Sequence, residues 1–111
     1  MADEGNTFGT YISNARKRQS LSQRQLAESI EREEGGTISP QYLNDIEHDR
    51  RSPSSDHMIQ QFARVLKLDA DHLYYLAGRW PADVRQANLP PQTVQKVMTA
   101  FRRTLPNKGK G

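Results

Sequence analysis

Four polar side chains recur at intervals that place them on one face of a predicted helix. They fall at i, i+3, i+4 and i+7, opposite two apolar positions, and they are Gln41, Asn44, Asp45 and His48. An amide side chain can bond N6 and N7 of adenine together, and a carboxylate can accept from N4 of cytosine. The face has the chemistry needed to read base edges in a major groove, and the alternative is an ordinary solvated helix surface.

Candidate donors to phosphate flank this face along the sequence. They are Gln23, Arg24, Tyr42, Arg50 and Arg51. Arg24 also belongs to a basic patch, with Arg16, Lys17 and Arg18, that contains no acidic residue. Contacts of this kind fix the register of a protein on DNA without reading its sequence.

Two helices with clear start signals position these residues. Ser22 caps the second predicted helix, and Gln25 follows three residues later as its capping-box partner. Ser39 caps the third helix, and Pro40 occupies its first position. We interpret the glycine-containing segment Glu31–Thr37 as the frayed end of the second helix plus a turn. Two short helices joined by such a turn have the layout of a helix-turn-helix.

Apolar periodicity along the rest of the chain predicts four more helices and an all-α fold. They are a helix over roughly 8–19, a helix capped by Ser54 or Ser55, a helix from Asp69 to Gly78, and an amphipathic helix after Pro90–Pro91. Trp80–Pro81 marks a break. We expect Tyr74, Tyr75 and Trp80 to pack against the last helix rather than to stack on a ligand.

Composition excludes several classes of protein. The chain has 111 residues and no cysteine, and its mean hydropathy is −0.89. No apolar run approaches the about 18 residues of a membrane span, and the acidic N-terminus lacks a signal pattern, so we expect a cytoplasmic protein. The three histidines share no ligand spacing, and no nucleophile motif or phosphate loop is present. We therefore expect no metal, no cofactor and no enzymatic activity.

Charge is divided unevenly along the chain, whose net charge is +3. Residues 1–55 carry seven basic and nine acidic side chains, net −2, whereas residues 56–111 carry nine basic and four acidic ones, net +5. Binding to nucleic acid must therefore use local basic patches rather than a uniform positive field.

The order and spacing of several segments resemble the lambda-repressor/Cro-like (XRE) helix-turn-helix family. The resemblance covers residues 8–79 and lies in Leu21–Ala27, Ile38–Glu47, Arg50–Ser54, Phe62–Leu66 and Leu73–Gly78. It implies a five-helix bundle that binds specific DNA sequences, usually as a dimeric repressor. The implied roles are base contact for Pro40, Gln41, Asn44 and Asp45, phosphate contact for Gln23, Arg50 and Arg51, and a buried ion pair for Arg16 and Glu47.

Two features depart from the family pattern. The turn between Ile30 and Ser39 is longer than the tight turn of the family, so either the second helix extends or the acidic loop bulges outward. Asp49 stands where the family has a glycine after the third helix. Aspartate tolerates a left-handed backbone better than most residues, so we expect modest strain there rather than a lost turn.

The last predicted helix carries an apolar stripe too large to be left in water. Its members are Val94, Val97, Met98, Phe101 and Leu105. The stripe either folds back on its own bundle or pairs with a second copy of the chain. We favour pairing, because dimers of this kind place two recognition helices one turn of DNA apart.

The predicted organisation has four parts. They are a disordered N-terminus (1–7), a DNA-binding domain (8–79), a helical dimerisation extension (80–105) and a disordered basic tail (106–111). The predicted function is a transcriptional repressor that binds double-stranded DNA as a homodimer on a two-fold symmetric operator. The alternative is a protein-binding module on the same fold, such as an antitoxin or a phage-type control factor.

Overall fold

A computed structural model describes residues 6–106 and contains seven α-helices within that range. They are α1 (Phe8–Arg18), α2 (Gln23–Ala27), α3 (Pro40–Glu47), α4 (Asp56–Leu66), α5 (Ala70–Ala77), α6 (Ala82–Gln86) and α7 (Pro91–Thr104). The β-structure of this part of the chain is limited to one isolated bridge, between Glu31 and Thr37. The predicted all-α class is confirmed.

Helices α1 to α5 enclose a single hydrophobic core. Apolar side chains of this core, such as those of Ile12, Leu26 and Ile30, are fully buried. Phe8 of α1 meets Phe62 of α4 edge to face, with 5.9 Å between the ring centroids. Each fully buried side chain of this size stabilises the fold by about 1.5–3 kcal/mol relative to exposure. The core therefore holds together the two helices that carry the candidate site.

The helix starts lie where the sequence predicts them. The side chains of Ser22 and Ser39 accept hydrogen bonds from the backbone three residues later, and Ser22 completes its capping box with Gln25. Ser55, rather than Ser54, caps α4. Asp69 caps α5, which ends at Gly78 in the left-handed conformation. These caps satisfy backbone N–H groups that a helix start otherwise leaves unpaired.

The segment between α2 and α3 differs from its predicted form. Helix α2 ends at Ala27, so residues 31–37 are not a frayed helix end. Instead Gly35 and Gly36 take positive φ angles of 105° and 77°, which reverse the chain and allow Glu31 to pair with Thr37. The base of this turn is tied to α4, because the Glu31 N–H donates to Oε1 of Gln61 over 3.0 Å. The acidic loop is therefore a short turn that is closed at its base and attached to α4.

Asp49 fastens the end of α3 to the start of α1. It takes the left-handed conformation, with φ at 59°, as its position in place of a glycine predicts. Its Oδ1 accepts from the Gly9 N–H over 2.9 Å, and its Oδ2 accepts from the Thr7 hydroxyl over 2.6 Å. Gly9 is required at this contact, since a Cβ there would lie 2.6 Å from the Glu47 carbonyl oxygen and closer still to that of Ile46.

The last two helices form an extension that buries none of its residues. Helix α6 was not predicted, because it is five residues long and begins at Pro81 without a side-chain cap. Arg85 of α6 attaches the extension to α4 by a bidentate contact to Asp56 at 2.5 and 3.2 Å. The hydrogen bond from Arg85 lowers the pKa of the Asp56 carboxyl below its ordinary value.

The predicted disordered ends fall mostly outside the described residues, at 1–5 and 107–111. Thr7 departs from that prediction, because it caps α1 and donates to Asp49. No helix in the described range 6–106 is long and apolar enough to cross a membrane. The same range contains no group of three or more His, Asp or Glu side chains able to hold a metal ion.

Candidate nucleic-acid interface

Helix α3 presents one polar face outward and one apolar face to the core. Leu43 and Ile46 are fully buried, whereas Gln41 is exposed and Asn44 and Asp45 are half-buried. Pro40, at the first helical position, is also exposed. The structure therefore brings the four predicted base-facing residues together on one surface of the helix.

A buried ion pair holds α3 against α1. Arg16 Nε lies 2.6 Å from Oε2 of Glu47, and its Nη2 lies 3.0 Å from Oε1, which makes the contact bidentate. Arg16 Nη1 also donates to the Leu21 carbonyl over 2.9 Å. The structure thus brings together the two residues for which the family resemblance implies this role. Removing one partner of such a pair leaves the other charged and desolvated.

Gln23 serves this internal network as well. Its Nε2 donates to Oδ1 of Asn44 over 3.1 Å and to Oε1 of Glu47 over 3.0 Å. An amide nitrogen carries two protons, and both are used in these bonds. The side-chain donor predicted to anchor α2 on a phosphate is therefore occupied inside the protein, where it joins α2 to α3.

Asp45 occupies the centre of a second network, at the exposed end of the face. Its Oδ1 accepts from Nε2 of Gln41 over 3.1 Å and lies 3.3 Å from Nε of Arg50. Its Oδ2 lies 3.9 Å from Nε of Arg51. Both carboxylate oxygens therefore face protein donors, so the predicted contact to cytosine N4 would have to compete with them. Sequence spacing could not anticipate this, because Arg50 and Arg51 fold back from the loop after α3.

The remaining candidate phosphate donors lie beside this cluster. The Arg51 guanidinium stands over the ring of Tyr42, 5.4 Å from its centroid, in a cation–π contact. Arg50, Arg51 and Arg24 are exposed. The pairing with Asp45 holds the Arg50 and Arg51 side chains at the edge of the α3 face.

The acidic turn borders the same region. An open cleft of about 620 Å³ separates it from Tyr42, Arg51 and α4. Within the turn Arg32 donates to Glu34, and this hydrogen bond lowers the pKa of the Glu34 carboxyl. The turn therefore places acidic side chains on an exposed loop, across the cleft from Arg51.

The predicted dimerisation residues lie on the extension. Val94, Val97, Phe101 and Leu105 are exposed, and Met98 is half-buried. An apolar groove of about 500 Å³ runs between α7 and the end of α5, and Tyr75, Trp80 and Val84 line it together with Val97 and Phe101. Of the three aromatic residues predicted to pack against the last helix, Tyr74 is instead buried in the core of the bundle. Tyr75 and Trp80 do line the groove beside α7, but they remain 69% and 51% exposed.

Comparison with known proteins identifies the relatives of this chain. The family model described as helix-turn-helix matches residues 12–73, more than half of the chain. Two uncharacterized HTH-type transcriptional regulators of Mycobacterium tuberculosis, from strains CDC 1551 / Oshkosh and ATCC 25618 / H37Rv, are each 37% identical over 70 residues. The match covers 63% of this chain but only 45% of each curated relative. No solved structure matches the chain at a significant level.

Proposed function

The chain belongs to the helix-turn-helix family, and we propose that it is a sequence-specific DNA-binding transcriptional repressor. In this proposal α3 enters the major groove and Gln41 and Asn44 contact base edges. Arg24, Arg50, Arg51 and Tyr42 bond the flanking phosphates. The names of the Mycobacterium tuberculosis relatives, as transcriptional regulators, support the same class of function.

The observation that carries the proposal is the division of α3 into two faces. Its apolar side is fully buried, and its far end is fixed to α1 through Glu47 and Arg16. The opposite side offers Gln41 and Asn44 on a helix whose orientation the core determines. A side chain on a rigid, outward-facing helix can discriminate base pairs by about 1–3 kcal/mol per good contact.

Selection of duplexes from a random pool at near-physiological salt tests this function. The wild-type chain should enrich a motif, and Gln41→Ala should weaken binding to that motif by about 1–3 kcal/mol without changing the melting temperature. Gln86→Ala, at an exposed position of α6, is the matched control and should leave the motif and the affinity unchanged. A pool without enrichment, or a Gln41→Ala variant with full sequence preference, would argue against base reading by α3.

The second part of the proposal is that the repressor acts as a homodimer formed by the extension. The groove and the α7 stripe are adjacent apolar surfaces on one side of the molecule, and a second copy would cover both at once. Two of the three positive side chains of α7, Lys96 and Arg103, line a separate polar surface of the helix. Pairing of two copies would give an operator with two half-sites about one helical turn apart.

Light scattering and the symmetry of the selected motif test the dimer separately. The 111-residue chain should have the mass of two copies, and Phe101→Asp should return it to a monomer whose bundle is still folded. Phe101→Asp should also convert a symmetric motif into a single half-site. A wild-type monomer that selects no motif would instead favour the alternative function, in which the groove binds a partner protein.

A further inference from the structure

We propose that Asp45 is a positioning residue for DNA recognition, which orients Gln41 and restrains Arg50 and Arg51, and that it does not itself read a base. The inference rests on the proposed DNA binding. It concerns the one acidic side chain among the predicted base contacts, and it follows from what that side chain touches.

Protein donors already surround the Asp45 carboxylate. Gln41 Nε2 donates to Oδ1 over 3.1 Å, Arg50 Nε is 3.3 Å from the same oxygen, and Arg51 Nε is 3.9 Å from Oδ2. The Asp45 side chain is only 23% exposed, whereas the two arginine side chains are 57% and 60% exposed. A base edge approaching α3 would therefore meet Gln41 and the arginines before it met the carboxylate.

Asp45 determines the orientation of the Gln41 amide. The bond to Asp45 uses one proton of Nε2 and so determines which end of the amide is nitrogen and which is oxygen. The second proton and the carbonyl oxygen are then the pair that bonds N7 and N6 of adenine. An amide held in one orientation distinguishes this pattern from its reverse, so Asp45 sharpens the specificity of Gln41.

Asp45 also holds the loop that follows α3. The Asp45 carbonyl oxygen accepts from the backbone N–H groups of both Arg50 and Arg51, over 2.9 and 3.3 Å. One residue thus holds the backbone of the loop and partly neutralises both guanidinium groups. Neutralised arginines bind phosphate less strongly, which lowers affinity for DNA of any sequence. Asp45 therefore has two separate effects: it sharpens specificity through Gln41, and it lowers the affinity for DNA of every sequence through the arginines.

The test compares three full-length proteins, the wild type, Asp45→Asn and Gln41→Ala, in duplex selection and in titrations with a mixed-sequence duplex. We expect Asp45→Asn to weaken preference at the base pair that Gln41→Ala loses, because an amide at position 45 can donate to Gln41 as well as accept from it and so no longer determines the orientation of the Gln41 amide. We also expect it to bind the mixed-sequence duplex about five- to tenfold more tightly at low salt, with a salt slope steeper by up to about 0.9, as one added phosphate contact requires. Asp83→Asn removes the same charge from α6 and should change neither result.

Two outcomes would overturn the inference. If Asp45→Asn loses preference at a different base pair, with cytosine favoured there by the wild type, then Asp45 reads that base directly. If Asp45→Asn changes neither the motif nor the mixed-sequence affinity, then the cluster has no role in binding. A wild type that selects no motif would contradict the proposed function itself, which separates the two failures.

A second variant keeps the test valid if Asp45→Asn does not fold. Asp45→Glu retains the charge and both acceptor oxygens but moves them by one methylene. It should keep the wild-type affinity for the mixed-sequence duplex while weakening preference at the base pair of Gln41. Loss of preference for a cytosine elsewhere in the motif would again identify a direct contact.

Discussion

The five-helix bundle and the C-terminal extension distribute their apolar residues in opposite ways. Every buried hydrophobic residue in the described part of the chain lies between Phe8 and Tyr74. Every large hydrophobic residue that is exposed there lies at Tyr75 or beyond it. The boundary falls within α5, where Tyr74 points into the core and its neighbour Tyr75 points out of it.

This difference indicates two sources of stability within one short chain. The bundle can fold by burying its own side chains, and the site on α3 needs nothing beyond the bundle to be positioned. The extension has helical structure and one ionic attachment to α4, yet its apolar surface remains in water. Exposed apolar surface of this kind is typical of an association site, which supports our proposal that the extension pairs two copies of the chain.

Truncation of one phenylalanine in each region gives the sharpest test of the comparison. Phe62→Ala should lower the free energy of unfolding by about 3–5 kcal/mol, because the ring is fully buried in the core. Phe101→Ala removes the same atoms from a 48% exposed site and should cost less than about 0.5 kcal/mol in dilute solution. Urea denaturation measures both values, and equal losses would mean that the extension is part of the same folding unit.

The buried ion pair allows a similar comparison between charges within the bundle. Glu47→Gln should destabilise the fold by about 3–5 kcal/mol, since it leaves Arg16 buried without its counter-charge. Glu33→Gln, at an exposed position of the acidic turn, should shift stability by no more than about 0.5 kcal/mol. Thermal melts of the two variants measure this difference, and equal decreases in melting temperature would argue against a structural role for the pair.

The smallest effect that we expect is a change with pH in the attachment of the extension to the bundle, at Arg85 and Asp56. Because Arg85 lowers the pKa of Asp56, their contact contributes stability above the ordinary carboxyl pKa, and that contribution is lost as the pH falls through the lowered value. Trp80 is the single tryptophan, and its carbonyl accepts from Arg85 over 3.1 Å. Its fluorescence should change below about pH 4, before the helical signal of the bundle is lost.

An Asp56→Asn variant provides the control for that titration. Its tryptophan emission should already resemble the low-pH state at neutral pH and should vary little in the acid range. If the wild type and the variant titrate alike, the extension is held by contacts other than Asp56 and Arg85.

Much of the fold could be predicted because its signals are local. Ser22, Ser39 and Asp69 cap helices through bonds to residues three positions away, and Gly78 ends α5 by its own backbone freedom. Such signals lie within a few residues of the structure they specify. The closed form of the turn at 31–37 was missed because it depends on a distant partner, Gln61. Helix α6 was missed because it is short and has no side-chain cap.

In the candidate site too, some features follow from the local sequence and others depend on distant residues. The face of α3 follows from helical periodicity, so Gln41, Asn44 and Asp45 could be grouped from the sequence. Their hydrogen bonds could not, because the partners Gln23, Arg50 and Arg51 arrive from another helix and from a loop. Residue type and spacing thus predict which groups share a surface, and only the packing determines which of their donors and acceptors are already used.

Asp49 has a consequence for substitution tolerance at the end of α3. The position requires a residue that accepts a positive φ and also a carboxylate of the right length for Gly9 and Thr7. Glycine meets the first requirement alone, and glutamate supplies a carboxylate one methylene too long. In a library randomised at this single codon and screened for folded protein, we expect aspartate to be recovered above every alternative, with asparagine second.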